Sequence, residues 1–428
     1  MTLFWPEGFY TILMVGTFAF GAFFLKLPIA ISMVLAAIAG SIVAGEGLPL
    51  RHLVEGTFGY LDTILIIATA MIFMKVIEKT GLLEAIAAYM IRKFKNHPLL
   101  LSFGIMVLIM IPGMITGSST AAVLTTGALV APVLIKLGVQ VHKTAAAIAM
   151  GAIYGMIAPP INIPAMIIGG GIDMPYVGFS VPLLICTIPL AAVTSLLLIY
   201  PGLKNKARDQ RALEDELRKM ERVNMTPRLF LPVVGLVILL GGSSLFPSAF
   251  PFGMPLSFLM ASSLAFFAGK SWKPVATVTE AINDSLPVMG ILMGVGMFIQ
   301  IMTLTGVRGF VVVSALSLPA WLLYVGIATS MPLFGAVSAF GSASVLGVPF
   351  LLALLGKNEI IAGSALSLIA GLGDLMPPTA LAGIFAAQVV GEKNYFKVLR
   401  FCVFPAILTA LWGIIIILGA SIISSIVY

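Results

Sequence analysis

Two continuous apolar runs, Val181 to Ile199 and Ile407 to Ile423, set the first constraint on this chain. Each is about as long as the ~20 residues that cross a ~30 Å hydrocarbon core. In that medium only helices and closed barrels satisfy their own backbone polar groups. The runs are continuous rather than alternating, so they predict helices and not barrel strands. Composition agrees. Of 428 residues 60% are hydrophobic and 10% charged, where a soluble domain carries about 25% charged residues. Too few polar side chains remain to cover a water-facing surface. The net charge of +7 would suggest a nucleic-acid surface in a soluble protein. Here the basic residues sit in loops and read as topology signals, so no nucleic-acid partner is expected. Cys186 and Cys402 fall inside apolar runs and read as small buried side chains, not as a disulfide or metal pair. Met1 to Tyr10 holds Glu7 and no Lys or Arg, which excludes a basic leader region there.

The apolar pattern predicts about 10 full spans, near 10–25, 28–45, 63–79, 143–170, 177–200, 229–246, 253–269, 284–303, 360–388 and 401–425. Segments 98–137 and 318–356 read as helical hairpins. Segments 80–97 and 304–317 read as arms along the interface; the first mixes Glu84, Arg92, Lys93 and Lys95 with apolar residues, as an interfacial helix does. One linker, 204–228, breaks the pattern with eight basic and five acidic residues. It reads as a solvated cytoplasmic connector, with a short charged helix over 212–222. Placing it inside, and letting both hairpins return to the side where they begin, puts every Lys and Arg inside except Arg51, Arg308 and Lys357. That is a strong positive-inside bias.

The two halves resemble each other. Phe73 and Thr80-Gly81 recur as Phe298 and Thr305-Gly306, an offset of 225. Gly117-Ser118-Ser119-Thr120 recurs as Gly341-Ser342-Ala343-Ser344, an offset of 224, and Ala158-Pro159-Pro160-Ile161 as Met376-Pro377-Pro378-Thr379, an offset of 218. The charge threading gives the halves opposite orientation. The expected fold is therefore an all-α polytopic membrane protein with an inverted-topology repeat, two re-entrant helical hairpins and two broken transmembrane helices. The first repeat is 1–203, with hairpin 98–137 and broken helix 143–170. The second is 229–428, with hairpin 318–356 and broken helix 360–388. Many secondary transporters share that architecture.

The interruptions carry the chemistry. Gly-Ser tetrapeptides are poor helix formers, and a prolyl pair removes two backbone donors. Backbone freed at membrane depth is tolerated only where protein, water or an ion satisfies it. Freed carbonyls together with Ser118, Ser119, Thr120, Asn162, Ser342, Ser344 and Thr379 are hard oxygen ligands that suit Na⁺ better than a soft metal. Half-helix N-termini after each break offer amides to an anionic substrate. Other readings stand beside this one. The prolines could only kink their helices, the Gly-Ser clusters could serve close packing, and 98–116 and 121–137 could each span, leaving Gly117 to Thr120 as an exposed turn.

Asp374 is the carboxylate placed well inside a span, four residues before Pro378, and a buried carboxylate is a functional candidate by default. No Lys or Arg is expected at mid-membrane, so amide dipoles and bound cations would meet an anion. His52, His97 and His142 lie near loops without carboxylate clusters, which argues against a metal centre. No nucleophile–base constellation, G-x-S-x-G or HExxH is present, so no enzymatic activity and no cofactor are expected.

The run Gly113-Met114-Ile115-Thr116-Gly117-Ser118-Ser119-Thr120-Ala121-Ala122, followed by Gly127, Pro132, Gly138, Gly155 and Pro159-Pro160, resembles the large membrane subunit of TRAP transporters. Its wider kin are the elevator carriers of the ion-transporter superfamily. The resemblance implies Na⁺-coupled uptake of a small organic acid by an elevator mechanism in the bacterial inner membrane. It implies two partners, a small four-helix membrane subunit and a periplasmic substrate-binding protein. It implies cation sites at Gly117, Ser118, Ser119, Asn162, Gly341, Ser342, Gly373 and Asp374. Substrate is then expected between the breaks, near Thr120, Pro160, Ser344, Pro378 and Thr379. The chain departs from the family pattern at Ile161-Asn162, Gly138-Val139 and Asp374-Leu375-Met376. A stand-alone organic anion carrier or Na⁺/H⁺ antiporter of the same superfamily therefore remains the alternative.

Overall fold

A computed structural model describes residues 5–204, 226–246, 248–268, 272–354 and 356–428. The charged helix expected over 212–222 lies outside the described residues.

Helices α1 (Pro6–Phe23), α2 (Ile29–Val43), α3 (Leu50–Phe58) and α4 (Leu61–Thr80) open the chain. The last two are bent against each other by 43°. An amphipathic arm, α5 (Leu82–Phe94), follows. The first hairpin is α6 (Pro98–Thr116) and α7 (Ser119–Lys136). A broken helix comes next, α8 (Val141–Ile157) and α9 (Ile163–Gly170), and then α10 (Ser180–Leu198). The second half repeats the order: α11 (Leu231–Leu245), α12 (Met254–Ser263), α13 (Pro274–Leu304) and the arm α14 (Val307–Leu316). The second hairpin is α15 (Ala320–Phe334) and α16 (Ala339–Ala353). The second broken helix, α17 (Glu359–Gly371) and α18 (Leu381–Val389), precedes α19 (Tyr395–Leu418) and α20 (Ala420–Val427).

Among the described residues, five single helices are long and apolar enough to cross a bilayer, and the bent α3–α4 pair makes a sixth. Several other segments expected to span are 10–17 residues long, among them α2, α8 and α12.

Packing sorts these helices into two groups, each drawing on both halves of the chain. In one group α13 lies against α2, α3 and α4, while α12 packs on α4. We call it the scaffold. In the other, α8 packs against α6, α10, α18 and α19, and α17 against α9 and α19. From Thr144 to Ile157 every residue of α8 is buried, and from Ile361 to Gly371 every residue of α17. A helix apolar on all faces belongs in a core, and small residues let neighbouring backbones approach. A Cβ on Gly113 would sit 2.7 Å from the Met156 nitrogen. The first halves of both broken helices thus form the centre of the second bundle.

The halves match in backbone detail. Each arm begins at a glycine with positive φ, Gly81 (77°) and Gly306 (74°), a conformation that favours glycine. In the scaffold, Lys75 pairs with Glu280 at 3.1 Å, and 225 residues from each, Gln300 sits against Glu55. The second arm of each hairpin contains one π-helical turn, Val123–Gly127 in α7 and Ala343–Gly347 in α16, an offset of 220. Such turns recur at functional sites.

That register corrects the pairing of Gly117-Ser118-Ser119-Thr120 with Gly341-Ser342-Ala343-Ser344. Ser118 caps α7, accepting from the Ala121 amide at 3.2 Å. Ser338 caps α16, accepting from Phe340 at 3.2 Å and Gly341 at 3.4 Å. Ser338 is therefore the counterpart of Ser118. Gly341 to Ser344 lie one turn further along, inside the helix. The sequence comparison matched composition, whereas the structural equivalence is set by the serine that satisfies orphan helix amides.

Candidate functional site

The two hairpin tips and the two helix breaks converge. Gly117 ends α6 with φ 65°, and a Cβ there would lie 2.6 Å from Ile163 just past the first break. The Ile161 amide, released by the Pro159-Pro160 pair, donates to the Met114 carbonyl at 3.1 Å. At the second tip, a Cβ on Gly335 would be 2.5 Å from the Gly373 Cα. Thr379 donates to the Ala336 carbonyl at 2.8 Å. Each tip is thus pinned to the break of its own half. The first is no exposed turn, for Thr116 and Ser119 are both buried.

A contact between the halves opens on the site. The Ser119 hydroxyl donates to the Asp374 carboxylate, and both residues are buried. Burying a carboxylate is costly unless it is paired. The hydroxyl supplies one hydrogen bond and no charge. Both side chains line a cavity of about 490 Å³. On one side it is walled by Ser118, Thr120 and Thr125 of the first hairpin and Ser338 of the second. On the other it is walled by the scaffold, including Lys75, Glu78 and Asp284.

The scaffold wall holds a cluster of charges. The Lys75 ammonium contacts Asp284 at 2.9 Å, Glu280 at 3.1 Å and Glu78 at 3.4 Å, and Lys79 contacts Glu280 at 2.8 Å. Lys75 and Glu78 face one way on α4, and Glu280 and Asp284 are spaced one turn apart on α13. That i, i+3/i+4 spacing of charges on two spans was the available signal. With three carboxylates already on Lys75, it is not a free anion receptor. No cluster of three or more His, Cys, Asp or Glu able to hold a metal occurs among the described residues.

The sequence matches the family model described as "Tripartite ATP-independent periplasmic transporter, DctM component" over residues 15–422. The chain belongs to the DctM family. Its fold is similar to that of the YdaH transporter of Alcanivorax borkumensis, whose crystal structure is described as having an unusual topology. The TM-score is 0.63 at 16% identity, covering 92% of this chain and 98% of that one. No curated protein matches the sequence. A DctM protein is a multi-pass membrane component of a transporter and not an enzyme.

Of the site residues implied by the resemblance to this family, Ser118, Ser119, Thr120 and Asp374 meet at the cavity. Gly117 and Gly373 lie directly behind them at the two tip–break contacts. Asn162 is committed elsewhere. Its side-chain oxygen caps α9 through the Ala165 amide at 2.9 Å, and its amide donates to Ile157 O at 2.9 Å and to Ser367 Oγ at 2.8 Å. Ser342 donates to the Met331 carbonyl at 2.7 Å and Ser344 to Gly341 at 3.0 Å, both within the second hairpin. Gly341, Pro160, Pro378 and Thr379 do not line the cavity. Ser338 does, and sequence reasoning missed it because the neighbouring Gly-Ser cluster was the stronger compositional match.

Proposed function

We propose that this chain is the membrane subunit of a Na⁺-coupled tripartite uptake system for a small organic acid in the bacterial inner membrane. It works with a small four-helix membrane subunit and a periplasmic substrate-binding protein. Membership of the DctM family supports the assembly. The single observation that carries the site is the Ser119–Asp374 pair, a buried carboxylate with a neutral partner opening on a cavity that sets hydroxyls of both hairpins among apolar side chains. Na⁺ is the co-substrate. A hard monovalent cation neutralises Asp374 and completes its oxygen shell with Ser119 and carbonyls freed at the breaks. The acid lies in the same cavity, held by hydroxyls and N-terminal amides of α7 and α16 and by the bound cation.

Both hairpins re-enter in this reading, which the burial of their tips against helix breaks supports. The tips, breaks, α10 and α19 move as one body past the scaffold, which is an elevator. The cavity lies at the end of α4 that carries Lys75 and Lys79, the end that the positive-inside bias assigns to the cytoplasm. The conformation is then inward-facing.

The test needs no substrate. Na⁺ binding stabilises the purified protein by mass action, so thermal stability is followed while Na⁺ replaces K⁺. Asp374→Asn is expected to weaken Na⁺ binding at least tenfold, and Ser119→Ala to weaken it less. Unchanged Na⁺ stabilisation in Asp374→Asn would remove the cation site from this position.

A further inference from the structure

The hydrogen bonds described so far stay within one bundle. Lys75, Glu78, Glu280 and Asp284 are all scaffold residues, and the Ser119–Asp374 and Asn162–Ser367 pairs lie in the other bundle. Tyr60 crosses between the two. It stands at the α3–α4 bend, is buried, and donates its hydroxyl to the Ile167 carbonyl of α9 at 2.9 Å. Its ring closes over Gly170, where a Cβ would meet Cε1 at 2.8 Å. The contact lies at the end of α4 away from Lys75 and Lys79. A wall of the scaffold is therefore shut at Tyr60 in the conformation where the opposite end opens on the cavity.

The bond is built to be released. Ile167 O also accepts the Gly171 amide at 3.0 Å, so α9 keeps a helical hydrogen bond when Tyr60 departs. Tyr60, left facing an opened cleft, is satisfied by water. The cost of opening is that of one net buried hydrogen bond plus the ring contact.

The internal repeat shows that the device exists on one side. The scaffold register of 225, set by Gly81/Gly306 and by the Glu55/Glu280 and Lys75/Gln300 positions, carries Tyr60 onto Ser285. The Ser285 hydroxyl donates back to Ile282 of its own helix at 2.8 Å. A serine is too short to reach across as a tyrosine does.

We propose that Tyr60 is a one-sided latch: its hydroxyl holds α9 against the scaffold and biases the carrier toward the inward-facing state. It is a positioning residue that touches neither cation nor substrate. This rests on the moving-bundle reading above.

The test uses the full chain in lipid nanodiscs and a membrane-impermeant maleimide. Two separate reporters are introduced: Ile67→Cys, two turns along α4 from Tyr60 and buried, and Leu124→Cys, exposed in the cavity. Tyr60→Phe keeps the ring and deletes the hydroxyl. It is expected to raise the Ile67→Cys labelling rate roughly fivefold, the weight of one buried neutral hydrogen bond, without raising that of Leu124→Cys. A general loosening would raise both and would overturn the latch. If the two reporters trade reactivity when Na⁺ replaces K⁺ but Tyr60→Phe changes neither, the latch is wrong and the moving bundle stands. If they never trade reactivity under any condition, the moving bundle fails and takes the latch with it.

Discussion

Replacing Asn162 with alanine separates a structural pin from an ion ligand. The side chain makes three hydrogen bonds at the first break, all buried. Losing the cap on α9 costs about 1 kcal/mol. Losing the bond to Ile157 leaves the last carbonyl of α8 without that partner in a buried place, which costs about 1–3 kcal/mol. The bond to Ser367 adds about 1 kcal/mol. Partial relaxation brings the expected total to about 3 kcal/mol. Unfolding in mixed micelles of rising SDS content reads this directly. Asn162→Asp is a useful comparator, since it keeps the capping oxygen and loses both donors. Combining Asn162→Ala with Ser367→Ala isolates the pair, with an expected coupling near ~1 kcal/mol. The reasoning is refuted if Asn162→Ala stays within about 0.5 kcal/mol of wild type while Na⁺ stabilisation disappears. That result would make Asn162 a ligand and not a pin.

Two further outcomes follow from local geometry. Glu392, in the loop before α19, accepts from the Asn394 amide and from His142 at the start of α8, and these hold its carboxyl down at about 2. Because the folded value lies below the ordinary 4.5, its contribution is complete above that pH and is lost as the pH falls toward 2. Glu392→Gln is expected to flatten the acid limb of an unfolding-versus-pH curve. At the second break, Ala380 is buried with φ 36° and ψ 45°, where an L-residue pays about 1–2 kcal/mol. Ala380→Gly recovers this less the ~0.5–1 kcal/mol entropy of glycine, so a gain of about 0.5–1 kcal/mol is expected in the same SDS titration.

Much of the chain's local behaviour was written in its residues. The apolar runs required helices, because hydrocarbon leaves backbone groups no other partner. The Gly-Ser and Pro-Pro interruptions marked where those helices stop: α6 ends at Gly117, α8 at Ile157 and the 3₁₀ turn after α17 at Leu375. Asp374 stood out as a carboxylate amid apolar neighbours, and the motif around Gly117 to Thr120 pointed to the family whose model matches residues 15–422.

What each interruption faces was a different matter. Asn162 and Ser119 are similar polar residues beside similar breaks, yet one is spent on its own helix and a neighbouring serine while the other meets Asp374 across 255 residues. Ser338 and Ser342 are one helical turn apart, and the cap falls to Ser338 because the turn before α16 ends there. Lys75 read only as one of the positive charges on the inside, and packing of α13 brings Glu280 and Asp284 beside it. Sequence sets the preferences of a segment over a few residues. Partners separated by more than 200 residues are chosen by how the helices pack, and only that packing decides which oxygens are used up and which are left facing the cavity.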